Sequence, residues 1–203
     1  MVNWTNHGVV MRAADFPHAN PYGAWAAQMV ERDGKCYFYI SPVGVIVLES
    51  ESPYGPFKDA LGRQLIHPDM TNYSGHGWED IDPTVFIDDD GQAWIFWGNK
   101  VCYCARLKRD MTEIDGPIKR IDRKEFDFTE APWVHKYNGK YYLTFATGWP
   151  EKIAYAMSDR PDGPYEYKGI ISEIAGNCNT THPSIVEFRG KWYFFTHNGG
   201  LPD

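Results

Sequence analysis

A chain of 203 residues can bury one hydrophobic core of ordinary size and is expected to form a single domain spanning 1–203. Its formal net charge of −7 argues against nucleic acid or an anionic membrane surface as the main partner. No apolar run approaches the length of a membrane span, and no charged-then-apolar leader opens the chain, so its compartment stays open between cytoplasm and secretion with the leader absent.

In chain order, residues 1–22 begin no strand pair. VNWTNHGVV (Val2–Val10) reads instead as a trailing outer strand, by its likeness to PYEYKGII at Pro164–Ile171. The first strand–turn–strand is Trp25–Ile40 (WAAQMVERDGKCYFYI), which turns at Gly34 and is followed by SPYGPFKD (Ser52–Asp59). The same phrase returns in Glu79–Trp97 (EDIDPTVFIDDDGQAWIFW), turning at Gly91 and followed by DGPIKRI (Asp115–Ile121). It returns again in Glu130–Phe145 (EAPWVHKYNGKYYLTF), turning at Gly139 and followed by DRPDGPYEYKG (Asp159–Gly169). A last hairpin, Thr181–Phe195 (THPSIVEFRGKWYFF), turns at Gly190. Each has a short strand, a glycine-closed turn and an aromatic strand, the pattern of an antiparallel hairpin. The turn glycines stand 57, 48 and 51 residues apart, the period of propeller blades with several strands each. The count predicts an all-β propeller as an incomplete ring: a trailing strand, three full blades and an opening hairpin. Open blade edges invite pairing. Either a homo-oligomer covers them, or Met1–Val10 adds an outer strand to the last hairpin.

Stacking the four opening strands in register places Trp25, Asp82, Glu130 and Thr181 nine residues before their turn glycines. In a propeller the same end of each innermost strand faces one central mouth, so Asp82 and Glu130 from adjacent blades are expected to meet there. Asp-Pro and Glu-Ala-Pro also open strands by ordinary turn chemistry, and only the matched register points further. Two carboxyls in one cavity raise each other's pKa, and the less solvated one keeps its proton near neutral pH, which is how a general acid is made. Hydrolysing a glycosidic bond with inversion needs such an acid and a second carboxylate about 6.5–9.5 Å away to activate water. The triplet Asp88–Asp90 reads as a solvated turn rather than a calcium loop. Cys36, Cys102, Cys104 and Cys178 show no disulfide framework and read as buried thiols.

IDPTVFIDDDGQAWIFWG, TEAPWVHKYNGKYYLTFATG, SDRPDGPY, WAAQMVERDGKCYFYIS, SPYGPFKDALGRQLI and THPSIVEFRGKWYFFTHNG, in this order and over nearly the whole chain, resemble glycoside hydrolase family 43. These are five-bladed propellers acting on arabinan, arabinoxylan and xylo-oligosaccharides. The resemblance implies that Glu130 is the general acid and that Asp82 orients it and raises its pKa. The catalytic base has no counterpart here and is expected upstream of Met1. Trp25, Trp133, Trp149 and His182 are implied to contact the sugar. No cofactor is required, although a calcium or sodium ion is implied near His182. The expected function is release of arabinose or xylose from plant cell-wall oligo- or polysaccharide by an α-L-arabinofuranosidase, exo-arabinanase or β-xylosidase. A carbohydrate-binding propeller without turnover, or an inactive truncated fragment lacking the base, is the competing expectation.

Overall fold

The computed structural model describes residues 3, 5–16, 23–121 and 126–200. The first sheet holds β1 (Trp25–Arg32), β2 (Lys35–Ser41), β3 (Ile46–Ser50) and β4 (Lys58–Asp59) in that order, all antiparallel. The second holds β5 (Thr84–Ile87), β6 (Ala93–Trp97), β7 (Tyr103–Leu107) and β8 (Ile114–Arg120), and the third β9 (Glu130–Tyr137), β10 (Lys140–Thr147), β11 (Lys152–Ser158) and β12 (Glu166–Ser172). A two-stranded sheet of β13 (Ser184–Phe188) and β14 (Lys191–Phe195) follows. These are three full propeller blades and an opening hairpin, as the repeat implies. The trailing strand expected at Val2–Val10 is not seen among its described residues. Residues 3 and 5–10 carry no strand, and Val10 packs instead against the buried cluster around Ile40, Ile46 and Leu48. Met1, Val2, Trp4 and residues 17–22 lie outside the described residues.

The hairpin turns explain the repeated glycine. At Asp33–Gly34, Asn138–Gly139 and Arg189–Gly190 both central residues have positive φ. This is the mirror-image turn whose twist matches the strands it joins. The blades then stack face to face through their side chains. Ile95 and Trp97 of β6 enter one cluster with Tyr39, Val45 and Val47, while Phe96 enters another with Phe128, Leu143 and Phe145. β6 is buried on both faces, which is why AWIFW reads as a continuous apolar run rather than an alternation.

The innermost strands succeed one another as β1, β5, β9 and β13. They are not paired by a backbone ladder, so side chains join them. The Gln28 amide donates to Val85 O and accepts from Val85 N, and the Trp133 indole donates to Ile185 O at 2.9 Å. At the other end of β5, Asp88 accepts from Lys136 Nζ (2.7 Å) and the Tyr141 hydroxyl (2.5 Å) of the third blade. The Asp88–Asp90 turn is therefore only partly the solvated loop expected of it. Asp89 stays exposed, whereas Asp88 is an inter-blade anchor held below the usual carboxylate range by those two donors against its own burial. Cys36, Cys102 and Cys104 are buried thiols. Cys178 is only half-buried, since it sits in a loop where its thiol donates to Thr180 O.

Candidate active site

Two strand openings share one backbone device. β1 pairs with β2 through Trp25↔Ser41 and Gln28↔Tyr39, and β9 pairs with β10 through Glu130↔Ala146 and Trp133↔Thr144, so each inner strand carries one extra residue. The bulges hold Ala26 at φ 42 and Ala131 at φ 56, and Asp82 opens the second blade at φ 59. Such bulges re-aim the side chain at a strand end. Non-glycine residues at positive φ cost about 1–3 kcal/mol each and persist where surrounding contacts fix them.

The result is a hollow of about 790 Å³ lined by Trp25, Trp78, Trp149, Asp82, Glu130 and His182, with Asn99 and His197 at its side. Asp82, Glu130 and His182 present oxygen and nitrogen atoms within 4.8 Å of one another. His182 Nε2 lies 3.1 Å from Glu130 Oε1 and 3.8 Å from Asp82 Oδ2. Asn99 Nδ2 donates to the other Glu130 oxygen at 2.5 Å, and Ala131 N–H donates to Asp82 Oδ2 at 3.1 Å. The two carboxylates thus meet at one mouth, as their matched register predicts. Trp25 and Trp149 also stand in the hollow, the latter 68% exposed. Trp133 does not. It lines an adjoining cavity along the inner strands, because the bulge at Ala131 and Pro132 turns it toward β13.

The electrostatics invert one expectation. Asp82 is only 4% exposed, and burial pushes its carboxyl up to about 7, aided by the Glu130 charge and opposed by His182. Burial also pushes Glu130 up, but hydrogen bonds from His182 and Asn99 and the His182 charge outweigh it and hold Glu130 below its ordinary value. His182 is in turn raised, its burial overcome by Glu130 and Asp82. Burial thus favours the proton on Asp82, the less solvated carboxyl, while His182 and Asn99 favour the anion at Glu130.

Asp82, Glu130 and His182 have the spacing of a cation site but as a set do not fit a calcium ion. His182 Nε2 is engaged with Glu130, and calcium prefers six to eight oxygen ligands.

The loop ahead of β5, expected to lie at the mouth, completes the wall through Trp78, a residue not singled out by the sequence. Trp78, 59% exposed, faces the hollow. Its two successors are buried anchors. Glu79 accepts from the Tyr73 and Ser74 amides and from the Ser74 and Tyr103 hydroxyls, and Asp80 accepts from Trp97 Nε1 (2.8 Å) and the Thr71 hydroxyl. Burial pushes Glu79 up, but the Ser74 and Tyr103 bonds win and lower it to about 2. A carboxyl depressed on folding adds stability above its unfolded value, and that stability is lost as pH falls through the folded one. Between about pH 4.5 and about pH 2 the native protein is therefore expected to lose stability that Glu79→Gln never has. Urea midpoints at about pH 5 and about pH 3 check this, and equal slopes for the two proteins would refute it.

The sequence profile described as "Glycosyl hydrolases family 43" matches residues 1–202. A xylosidase/arabinosidase of Bacteroides ovatus is 34% identical over 241 aligned residues, covering 95% of this chain and 69% of that protein. Among solved structures, an α-L-arabinofuranosidase from Clostridium thermocellum is similar with a TM-score of 0.86 and 36% identity, over 97% of this chain and 68% of that one. A family 43 β-xylosidase/α-arabinofuranosidase from a compost metagenome, in complex with xylotriose, gives a TM-score of 0.80 and 32% identity, over 97% and 72%.

Proposed function

This chain belongs to family 43 of the glycosyl hydrolases, and from that premise we propose that it removes single arabinose or xylose units from arabinan, arabinoxylan or xylo-oligosaccharides. The observation that carries the reading is the convergence of Asp82 and Glu130 in one hollow beside three tryptophans. Trp25, Trp78 and Trp149 offer flat apolar faces for the C–H faces of a pentose. Glu130, on the open side, is the group that reaches a glycosidic oxygen. Asp82 lies beneath it, buried and bonded to Ala131 N–H, and so is placed to hold and tune Glu130 rather than to attack the sugar.

Cleavage proceeds by proton transfer from Glu130 to the leaving oxygen as the C–O bond breaks, with water delivering hydroxyl to the anomeric carbon. Inversion is favoured over retention. A retaining nucleophile stands about 5–5.5 Å from the acid with its oxygen open to the sugar, and Asp82 is near enough but covered. Among the described residues, the carboxylates lining the hollow are Asp82 and Glu130. The water-activating base is thus a group these residues do not include.

The test is release of nitrophenol from nitrophenyl β-D-xyloside and α-L-arabinofuranoside, with the anomer of the freed sugar followed by proton NMR. An initial product of opposite anomeric configuration supports the proposal. Binding of xylotriose without any release would instead establish a carbohydrate-binding propeller.

Trp78→Ala and Trp149→Ala are each expected to raise KM about tenfold while leaving kcat within about twofold, because stacking is felt equally in the ground and transition states. Unchanged KM in both would remove the tryptophans from recognition.

A further inference from the structure

We propose that Glu151 is a positioning residue for Glu130, orienting the acid through a shared proton and supplying the proton that the leaving oxygen receives. The delivery half rests on the hydrolase reading above; the orienting half does not.

Glu151 lies between Trp149, on the wall of the hollow, and β11. It is 1% exposed. Its backbone N–H donates to Asn179 O at 3.0 Å, and its Oε2 accepts from Thr181 N–H at 2.7 Å, so both chain and carboxyl are fastened to the loop that carries His182. Its other oxygen is fully buried with no donor directed at it from any other residue. That carboxyl lies within hydrogen-bonding reach of the Glu130 carboxyl.

A buried carboxylate oxygen without a donor is costly, and two carboxylates in contact repel. One proton between the pair removes both penalties. The orphaned oxygen becomes an O–H that donates to Glu130. The charged groups facing Glu151 are Glu130 from β9, Asp82 ahead of β5 and His182 ahead of β13. Burial acts first, and the Glu130 and Asp82 charges reinforce it against Thr181 N–H and His182, so Glu151 is pushed up to about 7.

This resolves how Glu130, paired with His182 and held below its ordinary value, can act as an acid. A pentoside seated in the hollow displaces water and disfavours the anion. The Glu151 proton then passes to Glu130, and Glu130 protonates the glycosidic oxygen. The C–O bond breaks with its electron pair on that oxygen, which leaves as an alcohol. Water supplies hydroxyl to the anomeric carbon, and the proton it loses restores the pair through solvent.

The test labels the glutamate δ-carbons with ¹³C and titrates the wild type, Glu151→Gln and Glu130→Gln by NMR. One glutamate carbon is expected to titrate near pH 7 in the wild type, to vanish in Glu151→Gln, and to shift to lower pH in Glu130→Gln, where the neighbouring charge is gone. No carbon titrating above the ordinary glutamate range, or one that persists in Glu151→Gln, would overturn the proposal. Should Glu151→Gln fail to fold, the Glu130→Gln shift decides alone.

In kinetics, Glu151→Gln is expected to lower kcat at least about tenfold more for a phenyl pentoside than for a dinitrophenyl one, since only the poorer leaving group needs the proton. Equal losses on both would indicate a merely structural role and overturn proton delivery. A chain with the titrating carbon that hydrolyses neither substrate would overturn the hydrolase reading and proton delivery together, while the orienting contact stands on the titration.

Discussion

Glu130→Gln is expected to lower kcat/KM on phenyl pentosides by about 10²–10⁴-fold, the usual contribution of a positioned general acid. The amide keeps the size of the side chain and can still meet Asn99 and His182, so the hollow should retain its shape. What it lacks is a transferable proton. KM is therefore expected to change little, because the lost interaction exists only in the transition state. A dinitrophenyl leaving group, which departs without protonation, should recover most of the rate. The same variant removes the negative partner that raises His182, so the histidine should titrate at lower pH. Comparable rates for wild type and Glu130→Gln on the phenyl substrate would take Glu130 out of the mechanism.

Trp97→Ala is expected to destabilise the protein by about 3–5 kcal/mol, a large share of the roughly 5–15 kcal/mol available to a domain. Trp97 is fully buried, stacks on Tyr103 with ring centroids 5.6 Å apart, and donates its indole N–H to Asp80. Tyr103 in turn donates to Glu79. The two rings are the posts from which residues 71–80 hang, and through them the core of the second blade sets the position of Trp78. The alanine variant removes a large side chain and leaves the buried Asp80 without one of its donors. Trp97→Phe separates the two effects. It retains a ring in the stack and is expected to lose about 1–3 kcal/mol for the hydrogen bond no longer made to the Asp80 carboxylate, which keeps the Thr71 hydroxyl, together with the void left by the smaller ring. Urea unfolding at constant m-value measures both. A loss below about 1 kcal/mol for Trp97→Ala would mean that the cluster around Tyr39 and Val47 does not depend on this ring.

Much of the architecture is legible in the chain because its information is local. Asp33–Gly34 and Asn138–Gly139 specify tight turns by their own backbone preferences, and the aromatic strands after them can be aligned by counting. The same count brings Asp82 and Glu130 to one mouth, since equal distance from a turn means equal height on the inner strand. Trp133 shows where counting stops. A bulge at Ala131 adds a residue that no periodicity announces, and every side chain beyond it changes face. Trp78, Asn99 and Glu151 were not legible for a related reason. Each lies between strands, and its place is fixed by contacts distant in sequence: Asp80 with Trp97, Asn99 with Glu130, Glu151 with Thr181. The faint signals were a tryptophan among glycines four residues before Asp82, and an acid just before an apolar strand. Asp88 reads as solvent-facing from the sequence because its partners Lys136 and Tyr141 belong to the next blade. Burial raises one carboxyl of the pair, and that this one is Asp82 rather than Glu130 depends on the assembled blades.

The most direct measurement is a crystal structure of the Glu130→Gln variant soaked with xylotriose. A pentose ring is expected against Trp25, Trp78 or Trp149, with a glycosidic oxygen about 3 Å from the residue-130 side chain. Sugar bound elsewhere on the blades, or seated in the hollow with every glycosidic oxygen beyond reach of that side chain, would contradict it.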